Sequence, residues 1–291
     1  MPYMCVGREN SGNIDLYYED MGEGRPVVLI HGWPLSAASW EKQVPVLLEA
    51  GYRVIAYDRR GFGRSSQPSS GYTYDTFAED LNKLMTNLDI TDATLVGFSM
   101  GGGEVARYLA VYGPSRVSQA VFISAIPPFL LRTVDNPSGV EEEVFDNIRS
   151  EIVNDRPAFL TRFFRDFYNT DLLKDRLISS EAVQLSWNTG VSASPKATLD
   201  CVTAWQTDFR NDLSAIKVPS LIVHGDADRI VPYAASGKLT HDAIQGSQLV
   251  VVKDGPHGLS WTHAAQLNHA LLEFLKIHMP KKPAGRRQRT R

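Results

Sequence analysis

The 291-residue sequence has only two cysteines, Cys5 and Cys201, and no apolar run close to the roughly 18 residues that a membrane-spanning helix requires. Two cysteines cannot form the disulfide framework of a small secreted protein, so a reducing compartment is favoured. The first residues also lack the charged and then apolar regions of a secretion signal. These absences predict a cytoplasmic protein with no membrane partner.

Sequence motifs for the common cofactors are missing as well. There is no dinucleotide fingerprint, P-loop, haem-attachment motif, Cys pair or His-Glu-x-x-His stretch. We therefore expect chemistry without a cofactor or a metal. One rival interpretation is that His224, Asp226 and Asp228 bind a metal, since zinc accepts His together with Asp. Against it, Gly225 indicates that the strand that would align these side chains is ending.

Charge is unevenly distributed along the chain. The net charge is −3, yet residues 281–291 contain six Lys and Arg residues and no acidic residue, so the remainder is more acidic than the total suggests. An acidic surface does not favour nucleic acid, and we expect no nucleic-acid partner. The basic segment could bind a polyanion, but a solvated, disordered tail is the favoured interpretation.

The sequence does contain a regular alternation of short apolar runs and helical patterns. Phe77, Leu81, Leu84 and Leu88, for example, recur at the spacing of one helix face. The strand-like runs are residues 27–30, 53–57, 93–98, 117–124, 219–224 and 248–252. Fully apolar strands that alternate with helices predict an α/β fold with a mostly parallel central sheet flanked by helices.

The middle of the chain breaks this alternation. Residues 127–217 contain no convincing buried strand and hold many aromatic residues in mostly helical surroundings. No linker rich in Gly, Ser or Pro flanks them, which argues against a separate helical domain. We expect one core, residues 1–126 and 218–280, with residues 127–217 inserted as a helical cap and residues 281–291 as the tail.

A G-x-S-x-G motif lies at Gly97-Phe98-Ser99-Met100-Gly101, where a predicted strand meets a predicted helix. Such a junction forms a sharp turn that lifts the serine hydroxyl clear of the sheet. The following helix N-terminus also directs free N–H groups towards developing negative charge. Ser99 is therefore the candidate nucleophile.

A serine hydroxyl needs a neighbouring base, and that base needs a carboxylate to orient it. His257 follows the predicted strand at 248–252, and Asp226 and Asp228 follow the strand at 219–224. The carboxyl ends of parallel strands are where α/β sheets place their sites. The residues alone leave both aspartates open as the orienting group. The remaining histidines have no comparable loop context and are more often structural: His31, His224, His241, His263, His269 and His278.

With these motifs the chain resembles the α/β-hydrolase superfamily, and more closely its bacterial arylesterase and cofactor-free haloperoxidase (perhydrolase) branch. The resemblance extends from about residue 11 to about residue 278. The segments that carry it are His31-Gly32-Trp33-Pro34, Tyr57-Asp58-Arg59-Arg60-Gly61-Phe62-Gly63-Arg64-Ser65, Gly97-Phe98-Ser99-Met100-Gly101-Gly102-Gly103, His224-Gly225-Asp226-Ala227-Asp228-Arg229-Ile230-Val231-Pro232 and Gly255-Pro256-His257-Gly258.

The resemblance implies a role for each matching residue. Ser99 would be the nucleophile, His257 the general base and acid, and Asp228 the orienting carboxylate, because an apolar-apolar-Pro pattern follows Asp228 more closely than Asp226. The backbone N–H groups of Trp33 and Met100 would form the oxyanion hole.

The branch carries a proline after the tryptophan, and Pro34 matches it. This proline would place a loop carbonyl where it accepts a hydrogen bond from hydrogen peroxide; the alternative is that it only stiffens the loop.

Apolar residues of the cap and of the strand ends should line the substrate pocket, although each is also a plausible core residue. Trp33 beside the nucleophile indicates a short acyl pocket. The candidates for substrate contact are Pro34, Phe98, Ile126, Phe129, Phe163, Phe167 and Ile230.

The expected activity is hydrolysis of small carboxylic esters through an acyl-enzyme, with peracid formation when hydrogen peroxide replaces water. Two alternatives stay open: lactone or γ-lactam opening by the same residues, and a ligand receptor on a hydrolase fold with little turnover. The expected partner is a small-molecule substrate, and a homo-oligomer is compatible with the sequence.

Overall fold

The computed structural model describes residues 2–277, so the basic segment 281–291 lies outside the described residues. Eight strands form one sheet in the order β1-β2-β4-β3-β5-β6-β7-β8. Their bounds are β1 Tyr3–Glu9, β2 Gly12–Met21, β3 Pro26–Ile30, β4 Arg53–Tyr57, β5 Ala93–Phe98, β6 Val117–Ile123, β7 Ser220–Gly225 and β8 Gln248–Val252. Only the β1–β2 and β2–β4 pairs are antiparallel, which confirms the predicted mostly parallel α/β sheet.

The burial of each strand explains whether its sequence indicated a strand. Every residue of β3, β5 and β7 is buried, because helices cover both faces of the sheet there. By contrast, β1 and β2 are partly exposed and were not predicted. In the centre of the sheet Ile30 pairs with Gly97, and Phe98 pairs with Ile123. The register therefore aligns the carboxyl ends of β3, β5 and β6 at one edge.

Helices pack around this sheet and follow most of its strands. Their bounds are α1 Val44–Glu49, α2 Tyr74–Asn87, α3 Met100–Tyr112, α4 Glu142–Phe167, α5 Thr170–Leu173, α6 Ser180–Ser192, α7 Pro195–Ala204, α8 Arg210–Ala215, α9 Gly237–Ala243, α10 Leu259–Thr262 and α11 Ala264–Ile277. None of the helices in residues 2–277 is long and apolar enough to cross a membrane.

The chain between β6 and β7 contains helices α4 to α8 and contributes no strand to the sheet. Helix α4 is kinked at Asp155, whose φ of −155° is not helical, and Pro157 follows two residues later. Proline removes one backbone donor and disfavours helical geometry in the residues before it. The second half of α4 is thereby turned relative to the first. We propose that residues 127–217, which contain these helices, form a cap on the sheet.

Candidate active site

Ser99 occupies the turn between β5 and α3 with a backbone φ of 54° and ψ of −119°. A non-glycine residue with positive φ is strained, and such strain persists only where the surroundings enforce it. A Cβ at Gly101 would collide with the carbonyl oxygen of Ile30, so only glycine lets α3 approach β3 so closely. The tight turn places the Ser99 side chain at the carboxyl edge of the sheet.

Ser99, His257 and Asp228 form a continuous hydrogen-bonded row. The Ser99 hydroxyl lies 2.9 Å from Nε2 of His257, and Nδ1 of His257 lies 2.7 Å from Oδ2 of Asp228. A carboxylate can only accept, so Nδ1 of His257 carries the proton and Nε2 is left to accept from the serine. All three residues are buried. The row thus has the geometry of a nucleophile, a base and an orienting carboxylate.

The two candidate aspartates hold different partners. Oδ1 of Asp228 accepts the backbone N–H groups of Ile230 and Val231, at 2.9 and 2.8 Å. Oδ1 of Asp226 accepts the N–H of Asp254 at 2.6 Å, which joins the loops after β7 and β8. The structure therefore brings Asp228, and not Asp226, to His257.

Burial alone would raise the pKa of the Asp228 carboxyl, but the adjacent His257 and His224 lower that pKa well below its ordinary value. Asp228 is therefore ionised at neutral pH, as an acceptor from His257 must be. The low pKa of this buried carboxyl is therefore due to the hydrogen-bond donors around it.

The rival metal interpretation finds no geometric support in residues 2–277. There, no group of three or more His, Cys, Asp or Glu side chains is arranged to hold a metal ion. His224 faces the carbonyl of Val231, whereas Asp226 is bonded to the loop after β8. The carboxylate of Asp226 thus has a different partner from His224 and Asp228, whose side chains lie 3.3 Å apart.

The predicted oxyanion donors both have free N–H groups. Met100 is the first residue of α3, where an N–H has no partner within the helix. Trp33 follows β3 in the neighbouring loop, and within residues 2–277 neither N–H donates a hydrogen bond. Both are therefore available to a ligand at the serine.

A buried polar network supports the loop that contains Trp33. Nε2 of His31 accepts the backbone N–H of Arg59 at 2.9 Å, and Nδ1 of His31 lies 2.8 Å from the carbonyl of Gly32. The Arg59 guanidinium pairs with Glu104 of α3 at 2.8 Å and also bonds the His31 carbonyl. Burial, reinforced by Arg59, lowers the pKa of His31 well below its ordinary value, so the ring is neutral.

A cavity of about 310 Å³ opens on Ser99. Its inner wall is mostly aromatic and aliphatic, and its rim carries charged side chains of α4 together with Arg229. The lining consists of Trp33, Ser99, Ile126, Leu130, Val140, Val144, Phe145, Ile148, Glu151, Phe159, Arg162, Phe163, Arg165, Asp166, Trp205, Arg229, Ile230 and Val231. An apolar pocket with few polar groups at one end is the usual form of a small-molecule site.

Of the predicted substrate contacts, Ile126, Phe163 and Ile230 line this cavity. Pro34 does not, and its ring lies against Gly190 of α6. Phe129 is also outside the lining, because it packs beneath the Arg210 guanidinium, 5.1 Å away.

Phe98 and Phe167 are likewise outside the lining, although the rings of both pack against His257. Their rings lie 5.1 and 5.0 Å from the His257 ring. Both rings therefore help to hold the histidine in place. Side-chain direction at a strand end depends on the next loop, and sequence pattern does not reveal it.

The sequence reasoning missed Phe145, Phe159 and Trp205 as cavity residues. Phe159 and Phe163 are four residues apart on α4, a spacing that places them on the same helix face, and this signal was available. Trp205 packs edge-on against Trp33, with 4.9 Å between ring centroids. No pattern in the sequence indicates that contact, which joins residues far apart in the chain.

Known proteins resemble this chain over nearly its full length. A Synechocystis sp. protein, provisionally named a non-heme chloroperoxidase, is 60% identical over 276 residues, covering 95% of this chain and 100% of its own. The bifunctional esterase/perhydrolase DCH of Acinetobacter calcoaceticus is 38% identical over 272 residues, which are 90% and 96% of the two chains.

Among solved structures, a bromoperoxidase from Bacillus anthracis is 52% identical with a TM-score of 0.90, covering 94% of this chain and 99% of its own. The family model described as the alpha/beta hydrolase fold matches residues 25–264. The topology, the serine turn and these similarities agree, and the chain belongs to the α/β-hydrolase family, in its haloperoxidase and esterase branch.

Proposed function

We propose that this protein is a serine hydrolase that cleaves small carboxylic esters through an acyl-enzyme on Ser99. The observation that carries the proposal is the Ser99–His257–Asp228 row, with 2.9 and 2.7 Å between its bonded atoms, at the bottom of an apolar cavity. The names of its relatives, which include an esterase/perhydrolase, support the same chemistry.

In the first half of the reaction, Oγ of Ser99 attacks the ester carbonyl while its proton passes to Nε2 of His257. The carbonyl oxygen becomes an oxyanion, which the free N–H groups of Trp33 and Met100 stabilise; each such donor contributes roughly 2.7–4 kcal/mol in serine hydrolases. The alcohol then leaves with the proton from Nε2. Asp228 stabilises the imidazolium that forms between these steps.

In the second half, water attacks the acyl group and gives a proton to His257, which passes it to the leaving Oγ of Ser99 as the carboxylic acid is released. When hydrogen peroxide takes the place of water, the same step releases a peracid. In solution the peracid transfers an oxygen atom to a halide ion, which yields hypohalous acid and the carboxylate. Halide oxidation therefore requires only the acyl-enzyme and peroxide.

The cavity supports a substrate with a small acyl group. Trp33 stands beside the nucleophile, and Phe163 and Trp205 pack against it with ring centroids 5.0 and 4.9 Å away. These rings limit the space around the reacting carbonyl. We therefore expect acetyl esters to react faster than octanoyl esters.

The proposal is tested by hydrolysis of p-nitrophenyl acetate, butyrate and octanoate by the wild type and Ser99→Ala. We expect the substitution to lower kcat by at least about 1,000-fold, since the nucleophile is lost. Halide oxidation with acetate ester and peroxide should fall in parallel. Ser118→Ala is the control, because that hydroxyl bonds the carbonyls of Asp92 and Ala93, away from the cavity.

Two results would contradict the proposal. One is a Ser99→Ala protein that retains wild-type ester hydrolysis, because the nucleophile would then be elsewhere. The other is a folded wild type with no ester hydrolysis, which would favour the receptor alternative.

A further inference from the structure

A second histidine, His224, lies against the carboxylate that orients His257. It is the fifth residue of β7 and is fully buried. Its Nε2 is 2.9 Å from the carbonyl oxygen of Val231 and 3.3 Å from Oδ2 of Asp228. The sequence considered alone offered this residue a functional role only as a metal ligand.

The surroundings of the ring fix the position of its proton. The Val231 carbonyl and the Asp228 carboxylate can only accept hydrogen bonds, so Nε2 of His224 must carry a proton and donate to them. Nδ1 is buried and has no hydrogen-bond partner in the described part of the chain. A proton on Nδ1 would therefore be unsatisfied, and the tautomer that fits these surroundings has its proton on Nε2.

Packing holds the ring in this orientation. Gly237, at the start of α9, lies directly against the ring, and a Cβ there would collide with Nδ1. The Tyr233 ring is also close, with 5.8 Å between ring centroids. The ring thus has little freedom to turn its donor away from Asp228.

With His224 included, each carboxylate oxygen of Asp228 has two donors. Oδ1 accepts from the backbone N–H groups of Ile230 and Val231, and Oδ2 faces Nδ1 of His257 and Nε2 of His224. The backbone of Val231 is bound twice, since its N–H donates to Asp228 and its carbonyl accepts from His224. The turn and the carboxylate are therefore held as one unit.

We propose that His224 is a positioning residue that holds the Asp228 carboxylate towards His257 by donating from Nε2. It does so directly to Oδ2 and indirectly through the Val231 carbonyl. The inference rests on the proposed function, in which Asp228 orients the base.

The test compares two amide substitutions that differ in reach. In His224→Gln the side-chain amide occupies the place of Nε2 and retains the donor, whereas in His224→Asn the amide is too short to reach Val231 and Asp228. A hydrogen bond to a charged group corresponds to about a 10- to 100-fold effect. We expect kcat for p-nitrophenyl acetate to fall about 10- to 100-fold in His224→Asn, with KM nearly unchanged, and within about 3-fold of wild type in His224→Gln.

A pH profile separates positioning from general damage. Among the described residues, the charged or titratable groups that act most strongly on the Asp228 carboxylate are His257 and His224, and the Tyr233 ring packs on His224. Without the His224 donor, the Asp228 carboxylate is no longer held towards His257 and stabilises its protonated form less. The acid limb of kcat/KM should therefore move to lower pH in His224→Asn and stay in place in His224→Gln.

The control is His241→Asn on α9, whose ring bonds Ser247 outside the site and whose loss should leave both readouts unchanged. Full activity and an unshifted profile in His224→Asn overturn the proposal, as does an equal loss in both His224 variants. These outcomes are distinct from failure of the proposed function, which Ser99→Ala reports.

A measurement on the wild type keeps the proposal testable if His224→Asn does not fold. Nitrogen-15 chemical shifts distinguish the two neutral tautomers of histidine. The proposal requires a proton on Nε2 of His224 and none on Nδ1, and the opposite tautomer overturns it.

Discussion

At the residue scale, Asp226 and Asp228 show how two identical side chains acquire different tasks. The carboxylate of Asp226 accepts the N–H of Asp254 and ties two loops together, whereas that of Asp228 faces His257. Changing either residue to asparagine preserves its size and one oxygen acceptor. The pair therefore isolates the effect of the negative charge.

We expect Asp228→Asn to lower kcat for p-nitrophenyl acetate by about 10,000-fold, as the equivalent change does in other serine hydrolases, because the amide favours the wrong His257 tautomer. Asp226→Asn should remain within a few-fold of wild type, since a carboxamide oxygen can still accept from Asp254. Steady-state kinetics on both variants check this. Equal losses in the two would refute the assignment of Asp228.

How much of the site the sequence predicts depends on where each residue lies. Ser99 and His257 follow apolar strands directly, and parallel strands bring such positions together. The contact of His224 with Asp228 depends on how the chain turns back from Arg229 to Val231, and composition does not encode that path. Phe98 lies beside the serine in sequence, yet its ring packs against that of His257 and is not part of the cavity lining.

At the scale of the elements, α3 is held by an ion pair beneath the sheet edge. Glu104 of α3 bonds both Arg59 and Tyr57, and the side chains of Glu104 and Arg59 are almost completely excluded from solvent. Arg59 in turn binds the His31 carbonyl, which precedes the loop of Trp33. The helix after the nucleophile and the loop of the predicted oxyanion donor therefore share one support.

Glu104→Gln removes the charge that compensates buried Arg59, and we expect the free energy of unfolding to fall by about 3 kcal/mol or more. Glu79→Gln on α2 is the matched control, because Glu79 pairs with Lys83 on the surface, where such a pair contributes about 0.5 kcal/mol or less. Urea unfolding measures both. Similar stabilities for the two variants would show that the buried pair does not anchor α3.

The burial and pairing of the strands explain why some elements could be predicted from the sequence and others could not. Strands β3, β4, β5, β6, β7 and β8 were predicted because most of them are continuous apolar runs that a buried parallel sheet requires. Strands β1 and β2 pair antiparallel and are partly exposed, so their sequences mix polar and apolar residues. The kink of α4 at Asp155 has a sequence signal in Pro157, but the direction of the second half is set by packing.

At the scale of the whole molecule, the cavity lies between the sheet edge and the helices that follow β6. Trp33, Ser99 and Ile230 come from the strand ends, whereas Phe159 and Phe163 come from α4. Arg229, next to Asp228, also forms an ion pair with Asp171 of α5 at 2.8 Å. The proposed core supplies the reacting groups in this arrangement, and the proposed cap supplies much of the apolar wall.

The fold class followed from the order of strands and helices, and the structure and the family match confirm it. The shape of the cavity could not be predicted in the same way. It depends on contacts such as that between Trp33 and Trp205, 172 positions apart, which form only when the inserted helices pack on the sheet. Substrate range is therefore the property that sequence reasoning specifies least.

The central claim, that Ser99 is the nucleophile of a working hydrolase, is tested most directly by titrating the protein with diethyl p-nitrophenyl phosphate. This ester transfers its phosphoryl group to an activated serine and releases p-nitrophenolate. We predict one equivalent released per chain, a proportional loss of p-nitrophenyl acetate hydrolysis, and a phosphoryl adduct mapped by mass spectrometry to the peptide that contains Ser99. An adduct on another residue, or a fully labelled protein that still hydrolyses the ester, would contradict the account.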